Sequence, residues 1–265
     1  MTDHASAAPD PAIAAATVVI VRPIGDAFEI LMLERHGDTA FAGGAMVFPG
    51  GRVDPGDAFV ATDTLLGTGF DGLDPIDAAA RVAAARETFE EADVVLSDGA
   101  PIDPAARVDW RARLNASTTD YATFLAATGH RLDAARMIPF AHWVPPAAFA
   151  ISRRFDTRFY LAVLPAGEVV SPDGHEAVTA RWLTPATAIA LADAGTISLI
   201  FPTRRNVERL GQYDRLDALL AATAARPPVL IRPAIVERDG ARWLTIPTGC
   251  DYPVTEELLA AVRRE

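Results

Sequence analysis

Three glutamates lie close together in the stretch 85–94, which reads Ala-Arg-Glu-Thr-Phe-Glu-Glu-Ala-Asp-Val. No Gly or Pro interrupts the Ala-rich sequence that leads into this stretch, so we predict a helix. Residues three and four apart share a helix face, which groups Glu87, Glu90 and Glu91. Neighbouring carboxylates repel one another unless a cation lies among them. Hard divalent cations prefer oxygen ligands, and Mg²⁺ is bound by a few carboxylates together with substrate phosphates.

A second stretch distinguishes these acids from an ordinary solvated helix face, which is the commoner reason for a Glu-rich helix. Residues 46–57 read Met-Val-Phe-Pro-Gly-Gly-Arg-Val-Asp-Pro-Gly-Asp, so an apolar strand ends in two glycines. Gly50 and Gly51 allow the backbone to turn sharply and to approach a ligand closely. Arg86 is adjacent to the acids and can pair with one carboxylate to hold it in place.

A strand, a glycine loop and an acidic helix in this order resemble the signature of the Nudix hydrolases. The family pattern is Gly, five residues, Glu, seven residues, then Arg-Glu-apolar-any-Glu-Glu-any-Gly-apolar. Gly51 matches the first glycine of this pattern. The second half is matched by Arg86, Glu87, Glu90, Glu91 and Val94. Because both halves are present, the resemblance is specific.

The chain departs from the family pattern at several positions. Asp57 stands where the family has Glu, and Thr88 replaces the apolar residue. Asp93 replaces the Gly that closes the helix, although Asp tolerates a left-handed backbone at a cost of about 1 kcal/mol. The spacer 58–85 is 28 residues long, far more than in the family pattern. A long insertion here, together with the Phe-Pro-Gly-Gly loop, resembles the branch that includes the peroxisomal coenzyme A diphosphatases and their bacterial relatives.

The resemblance implies a metal-dependent hydrolase that cleaves a pyrophosphate bond in a nucleoside diphosphate linked to another moiety. Coenzyme A or an acyl-coenzyme A is the substrate that this branch suggests. The implied cofactor is Mg²⁺ or Mn²⁺, bound by Glu87, Glu90, Glu91 and the backbone carbonyl of Gly51. Arg86 is then expected to orient a carboxylate from the second shell of the metal.

Candidate substrate ligands are the loop residues Gly50 and Gly51 and two arginines. The coenzyme A branch carries a further pattern before the glycine loop, and about half of it is matched here. In frame are Leu31, Met32, Arg35, Gly44 and Phe48, whereas Leu33, His36 and Ala40 do not match. Arg158 belongs to an Asp-Thr-Arg-Phe strand, which flanks the substrate cleft in that branch. Arginine can bind phosphate through two parallel hydrogen bonds. The simpler alternative for Arg158 is an ion pair with Asp156.

Glu176 is the candidate general base. It follows His175 in the loop that leads into a predicted strand at 178–183. Nudix enzymes often take a base or an extra metal ligand from such a loop, but the residue varies. We expect His175 to be a solvent-exposed loop residue without a role in the reaction.

Other functions are also compatible with the sequence. One is an ADP-ribose or nucleotide-sugar pyrophosphatase, and another is a non-catalytic Nudix-like domain that binds a nucleotide and regulates a partner. Non-catalytic domains usually lose one or more metal carboxylates, whereas Glu87, Glu90 and Glu91 all remain here. We therefore favour catalysis. An acidic helix in a structural protein would require the glycine loop to be a coincidence.

Composition restricts the class of ligand. The chain has 265 residues, is half hydrophobic and carries a formal net charge of −11. Such acidity disfavours binding to nucleic acid or to an anionic membrane, but bound cations still allow a phosphate substrate. The single Cys250 suits a reducing compartment, and no signal peptide or membrane span is evident, so we expect a cytoplasmic protein. The oligomeric state is open, with a homodimer as one candidate.

The elements that must position the acids predict an α+β fold, an α/β/α sandwich with a mixed central sheet. We expect a disordered tail at 1–12 and a catalytic domain at 13–200. This domain would contain an insertion at 58–74, interpreted as a flexible loop, and accessory helices within 103–128. A C-terminal extension at 201–265 would add a helix and a β-hairpin.

Several local predictions follow from caps and turn residues. Asp74 and Pro75 predict the start of the acidic helix. Strands at 17–21 and 28–33 are expected to pair as a hairpin, and Asp239-Gly240 predicts a second hairpin. A single long helix is predicted from Thr203 to about Ala222, and a short final helix at 256–264.

Overall fold

The β-branched run 17–21 lies within the longest strand of a central sheet. A computed structural model of the chain describes residues 12–37, 43–146 and 154–262. Side chains alternate between the two faces of a strand, and both faces of this one are covered, so Val18, Val19 and Ile20 are all fully buried. A continuous apolar run is therefore what this position in the fold requires.

Fourteen strands and seven α-helices are found among the described residues. The strands are β1 (Ile13–Ile24), β2 (Ala27–Arg35), β3 (Met46–Val47), β4 (Gly50–Arg52), β5 (Gly67–Thr68), β6 (Ser97–Asp98), β7 (Arg131–Asp133), β8 (Ile138–Trp143), β9 (Phe155–Val163), β10 (Ala177–Leu183), β11 (Leu230–Ile231), β12 (Ala234–Arg238), β13 (Ala241–Thr245) and β14 (Glu256–Leu258). The helices are α1 (Pro55–Thr62), α2 (Pro75–Ala92), α3 (Pro104–Asn115), α4 (Tyr121–Thr128), α5 (Pro185–Asp193), α6 (Phe201–Leu210) and α7 (Leu216–Ala225).

The central sheet is mixed and has the order β10-β2-β1-β9-β8-β11. The β1–β9 and β8–β11 pairs are parallel, and the other pairs along this path are antiparallel. The short strands β3 and β4 pair with β2 and β1 respectively. The predicted hairpin of the first two strands is confirmed, with Val21 opposite Ile30.

Helices cover both faces of the central sheet, which confirms the predicted sandwich. One core joins alternate residues of β1, including Val18 and Ile20, to the apolar side of α2, including Phe89. The other core joins Val19 and the opposite face of the sheet to α5, α6 and α7, including Val207. The acidic helix α2 is thereby fixed against the sheet along its length.

The start of α2 follows the sequence prediction. The Asp74 carboxylate accepts hydrogen bonds from the amides of Ile76 and Asp77, and Pro75 occupies the first helical position. At the other end, Asp93 adopts a left-handed conformation with φ 57°. Asp93 therefore takes the conformation for which the family pattern uses Gly.

The structure differs from the sequence prediction in three places. The insertion is not a simple flexible loop, because α1 extends to Thr62 and β5 pairs in parallel with β7. The predicted helix from Thr203 is two helices, α6 and α7, with Gly211 directly after the first. The predicted final helix is wrong, since Glu256–Leu258 forms a strand beside β13. The hairpin at Asp239-Gly240 is confirmed. Residues 1–11 of the predicted tail lie outside the described residues.

Candidate active site

The two glycines of the loop are required for different reasons. In β4, Gly50 lies opposite Thr17 and Gly51 lies opposite Ala16. Gly50 has φ +155°, and a Cβ atom there would lie 2.3 Å from the carbonyl oxygen of Ala16. A Cβ atom on Gly51 would instead lie 2.5 Å from a carboxylate oxygen of Glu87. The glycine loop therefore packs directly against the acidic helix.

A single guanidinium holds the acids behind this loop. Arg86 is 8% exposed, and its Nε and Nη2 donate to the two carboxylate oxygens of Asp57 at 3.0 and 3.1 Å. Its Nη1 donates to Glu87 at 2.9 Å and to Glu90 at 3.2 Å. Nη2 also donates to the carbonyl oxygen of Arg52 at 2.9 Å. The side chain thus ties α2 to both the glycine loop and α1.

Asp57 anchors Arg86 and is itself held by the backbone. It is 2% exposed, and its Oδ2 accepts a hydrogen bond from the Asp54 amide at 2.8 Å. Burial raises the pKa of Asp57, while the hydrogen bond and charge of Arg86 oppose that shift. The sequence placed Asp57 in the frame of the family glutamate but did not predict this contact. The available signal was the Asp54-Pro55 start of α1, a helix cap three residues before Asp57.

Glu91 is the most deeply buried of the three glutamates, with 5% exposure. One of its carboxylate oxygens accepts the Gly50 amide at 3.0 Å. Burial and the neighbouring charge of Glu87 hold the pKa of Glu91 well above its ordinary value. The charge of Arg35 and the Gly50 hydrogen bond act in the opposite direction.

The other two glutamates also resist ionisation. Burial raises the pKa of Glu87, and it raises the pKa of Glu90 to about 7. Arg86 lowers both pKa values but is shared with Asp57. Arg86 therefore bonds three carboxylates, those of Asp57, Glu87 and Glu90, and lies 3.8 Å from a fourth, that of Asp54, whereas Glu91 is bonded by the Gly50 amide. Negative charge is left without neutralisation whenever the glutamates are ionised.

Arg35 and Glu176 lie beside the acids and contact each other. The Arg35 Nη2 donates to Glu176 Oε2 at 3.2 Å, and the Glu176 side chain is 61% exposed. The negative charge of Glu176 contributes to the raised pKa of both Glu87 and Glu91, after the larger effect of burial. Asp173 Oδ1 accepts the amides of residues 175–177 and so fixes this loop. His175 is exposed, as expected.

Arg158 is on the same sheet row as the glycine loop but does not contact the acids described above. Ala16 of β1 lies between Gly51 on one side and Arg158 of β9 on the other. Two strand spacings separate their backbones by roughly 10 Å. The Arg158 Nη1 lies 3.5 Å from Asp156, whose carboxylate also contacts His142 Nε2 at 2.5 Å. The ion pair considered from the sequence is therefore present.

The carboxylates supply the hard oxygen donors that a divalent cation needs, although they are not arranged as a finished metal site. Among the described residues, no three Asp, Glu, His or Cys side chains are gathered closely enough to hold a metal ion. Their oxygens are instead engaged by Arg86 and by the Gly50 amide. The uncompensated acids, buried beside a backbone loop, fit a hard divalent cation by their chemistry.

A family model described as the NUDT19 Nudix domain matches residues 59–210. The chain belongs to this family of Nudix hydrolases. The match includes all of α2 and its acids, and it extends through α6. No helix in the described part of this NUDT19-type chain has the length and apolar composition needed to cross a membrane.

Several curated relatives carry the name acyl-coenzyme A diphosphatase NUDT19. The human protein is 28% identical over 242 residues, covering 74% of this chain and 64% of its own length. The Gallus gallus protein is 27% identical over 249 residues, covering 74% of this chain and 65% of its own length. The chain therefore spans slightly less than two thirds of the length of each of these two relatives.

A solved Nudix hydrolase from Alicyclobacillus acidocaldarius has the same fold. It is 25% identical to this chain, with a TM-score of 0.68, and the match covers 81% of this chain and 97% of that structure. The expected Nudix fold with a mixed central sheet is confirmed by this similarity.

Proposed function

We propose that this chain hydrolyses the pyrophosphate bond of coenzyme A or of an acyl-coenzyme A. Membership of the NUDT19 family supports this substrate class, as do the names of the human and Gallus gallus relatives. The observation that carries the proposal is the charge imbalance beside the glycine loop. There Arg86 is shared by three carboxylates, and Glu91 is buried with one amide donor.

This imbalance favours Mg²⁺ or Mn²⁺ as the cofactor, held by Glu87, Glu90 and Glu91 with the Gly51 carbonyl as a further oxygen ligand. When bound, such ions neutralise phosphate charge and lower the pKa of a coordinated water. Arg86 keeps Glu87 and Glu90 in position from behind, and the Gly50 amide does the same for Glu91. A side chain at Gly51 would displace the Glu87 carboxylate, because the two are in close contact.

The remaining residues act on the substrate and on the attacking water. Glu176 is proposed to accept the proton of the water, whose oxygen forms a new bond to one phosphorus while the bridging P–O bond breaks. Arg35 is proposed to donate to a phosphate oxygen through N–H groups other than the one in its 3.2 Å contact with Glu176. Arg158 is proposed to bind a more distant part of the substrate from its place two strands away. The products are two phosphate monoesters.

A panel of pyrophosphate substrates tests the proposal. Coenzyme A, an acyl-coenzyme A, ADP-ribose and a nucleotide sugar are incubated with the protein and Mn²⁺, and products are identified by mass. We expect a pantetheine phosphate and a nucleotide with two phosphate groups from the coenzyme A compounds. Reaction in ¹⁸O-labelled water shows which phosphorus is attacked. Preferential cleavage of ADP-ribose would replace the proposed substrate, and no cleavage of any compound would reject catalysis.

Two variants test the roles of residues in the same assay. Glu176→Gln keeps the shape of the side chain and removes the proposed base, so we expect turnover to fall by roughly 100-fold or more. Glu237→Gln, on the exposed strand β12, removes one negative charge away from the site and serves as the matched control. Equal turnover in Glu176→Gln and in the unmodified protein would exclude Glu176 as the base.

A further inference from the structure

The last turn of α2 is held by groups from outside the helix. The final carbonyls of a helix have no intrahelical donor and need other partners. In α2, the Glu91 carbonyl accepts the Asp173 amide at 3.1 Å, and the Ala92 carbonyl accepts the Ser171 amide at 2.9 Å. The carbonyl of Glu90 is bonded instead by side chains of α3, that of Arg111 and, more weakly at 3.5 Å, the Nδ2 of Asn115.

Arg111 reaches the backbone of a proposed metal ligand. Its Nε donates to the Glu90 carbonyl oxygen at 2.8 Å. The side chain is half-buried, and its Nη2 is buried without a hydrogen-bond partner among the described residues. A buried, unpaired guanidinium nitrogen is costly, so its retention here needs a reason.

The charge of Arg111 acts on the acidic end of α2. Burial lowers the pKa of Arg111, while the negative charges of Asp93, Asp173 and Glu91 oppose that shift. A cation at a helix C-terminus is also favoured by the helix dipole. Arg111 therefore places positive charge near Glu91 while its hydrogen bond fixes the backbone of Glu90.

We propose that Arg111 is a positioning residue for the metal-binding carboxylates, acting through the Glu90 carbonyl and through its charge. The accessory helix α3 then serves the active site, since it fixes the backbone of the last turn of α2, which carries Glu90 and Glu91. The inference rests on the proposed metal site, but it does not depend on which pyrophosphate is cleaved.

Manganese binding to the intact 265-residue chain tests the inference without any substrate. The affinity for Mn²⁺ is measured by calorimetry for the unmodified protein, Arg111→Gln and Arg111→Lys. We expect Arg111→Gln to weaken Mn²⁺ binding by about 10-fold, the scale typical of residues that orient metal ligands. Arg111→Lys keeps the charge but loses the Nε–H bond, so an intermediate affinity is expected.

The matched control is Arg113→Gln on the same helix. Arg113→Gln also deletes one positive charge from α3. The Arg113 side chain is 42% exposed and pairs with Asp109 at 3.4 Å, and among the described residues it forms no ion pair with α2. Its Mn²⁺ affinity should equal that of the unmodified protein. In a turnover assay, Arg111→Gln should raise the half-activating Mn²⁺ concentration more than it lowers kcat at saturating Mn²⁺.

The possible results separate the inference from the proposed function. If the unmodified protein binds no Mn²⁺, the proposed metal site fails and the inference fails with it. If the unmodified protein binds Mn²⁺ and both Arg111 variants bind it equally well, only the inference is overturned. A lower melting temperature with unchanged Mn²⁺ affinity would show that Arg111 merely stabilises the packing of α3. Should Arg111→Gln fail to fold, the comparison of Arg111→Lys with the control still decides the question.

Discussion

Arg86 and the glutamates around it show opposing electrostatic effects at the scale of single residues. The guanidinium favours the ionised carboxylates, but burial outweighs it at Glu87 and Glu90, whose pKa values are raised. Breaking a buried ion pair from one side leaves an uncompensated charge. The protein without metal is therefore expected to be stabilised by protonation of Glu87 or Glu90, which keeps the pair between Arg86 and Asp57.

Glu90 gives this expectation a pH dependence. Its pKa is raised to about 7 in the folded protein, from 4.5 as the ordinary value. The folded state therefore binds more protons than the unfolded state between these pH values, and stability falls as pH rises through them. The loss from this group is at most about 3 kcal/mol. Melting temperatures from pH 4.5 to 8 in chelator should fall less steeply for Glu90→Gln than for the unmodified protein.

The stabilisation by Mg²⁺ should depend on pH in the opposite direction, because the proposed metal site uses the ionised carboxylates. We expect the stabilisation by millimolar Mg²⁺ to grow from pH 5 to pH 8 and to be largely lost in Glu90→Gln, together with turnover. Glu237→Gln should behave as the unmodified protein does. Identical melting curves in Mg²⁺ and in chelator at pH 8 would contradict a metal site at these residues.

The neighbouring glycines provide a second prediction, in which one substitution lowers stability and the other lowers turnover. In Gly50→Ala, the new methyl group meets the backbone of Ala16, which cannot move aside, and φ is unfavourable. We expect a loss of about 2 kcal/mol or more in unfolding free energy. In Gly51→Ala, the methyl group meets the end of the flexible Glu87 side chain. Stability should change little, whereas turnover should fall by roughly 10-fold or more.

Urea unfolding and steady-state turnover separate the two glycine variants. A stable but inactive Gly50→Ala, or an active Gly51→Ala, would contradict the geometry of the loop. The sequence predicted that these glycines approach a ligand, and the spacing of the acids predicted their common location. The anchoring of Arg86 by Asp57 was not predictable from spacing, because 29 residues separate the two in the chain.

At the scale of elements, the end of α2 combines a backbone conformation that is unfavourable for Asp93 with ion pairs that stabilise it. Asp93 has a left-handed backbone conformation, and its carboxylate accepts a hydrogen bond from Arg107 Nε at 2.7 Å. Arg107 also pairs with Glu168 and donates to the Asp93 carbonyl. These contacts offset the cost of a non-glycine residue at this cap and explain how the chain tolerates its departure from the family pattern.

Substitutions of Asp93 test this balance. Asp93→Gly and Asp93→Ala both remove the Arg107 pair, but only Gly is relaxed in the left-handed region. We therefore expect Asp93→Ala to be less stable than Asp93→Gly by about 1 kcal/mol in urea unfolding. Equal stabilities would indicate that the helix end rearranges when the carboxylate is removed.

Local sequence signals such as capping residues predicted some helix starts correctly. They failed where contacts between distant parts of the chain determine the secondary structure. Asp74 and Pro75 gave the start of α2 correctly. The final segment has helix-forming residues, yet Glu256 pairs with Thr245 and Leu258 with Trp243, so a tertiary contact overrides propensity. The secondary structure of the insertion was underestimated because its Gly residues suggested a loop. In the structure, Gly67 of β5 pairs with Leu132 of β7.

At the scale of the whole molecule, the C-terminal segment is part of the second core. Leu244 and Ile246 are buried in it, and β11 adds the last strand of the central sheet. A buried hydrogen-bond chain runs from Trp143 Nε1 to the Tyr252 hydroxyl at 3.0 Å, and from Tyr252 to Asn206 Oδ1 at 2.8 Å. We therefore propose that the extension at 201–265 does not form an independent unit.

Tyr252 allows this proposal to be tested in the intact chain. Tyr252→Phe keeps the ring and leaves the Trp143 donor and the Asn206 acceptor unpaired, so we expect a loss of about 1–3 kcal/mol. Chemical denaturation of Tyr252→Phe should show a single transition for the whole protein, shifted to a lower denaturant concentration. Truncation after residue 228 should prevent stable folding. A truncated chain that still melts cooperatively would instead support a separable extension.

The distant partners of the α2 carbonyls have a consequence for synthesis of the protein. The acids have all been translated by residue 91, but the groups that fix the end of their helix come from residues 107, 111, 171 and 173. A nascent chain halted before residue 171 would carry the complete set of carboxylates on an unfinished scaffold. Competence to bind a cation is thus expected to appear late during translation, well after the motif itself has left the ribosome.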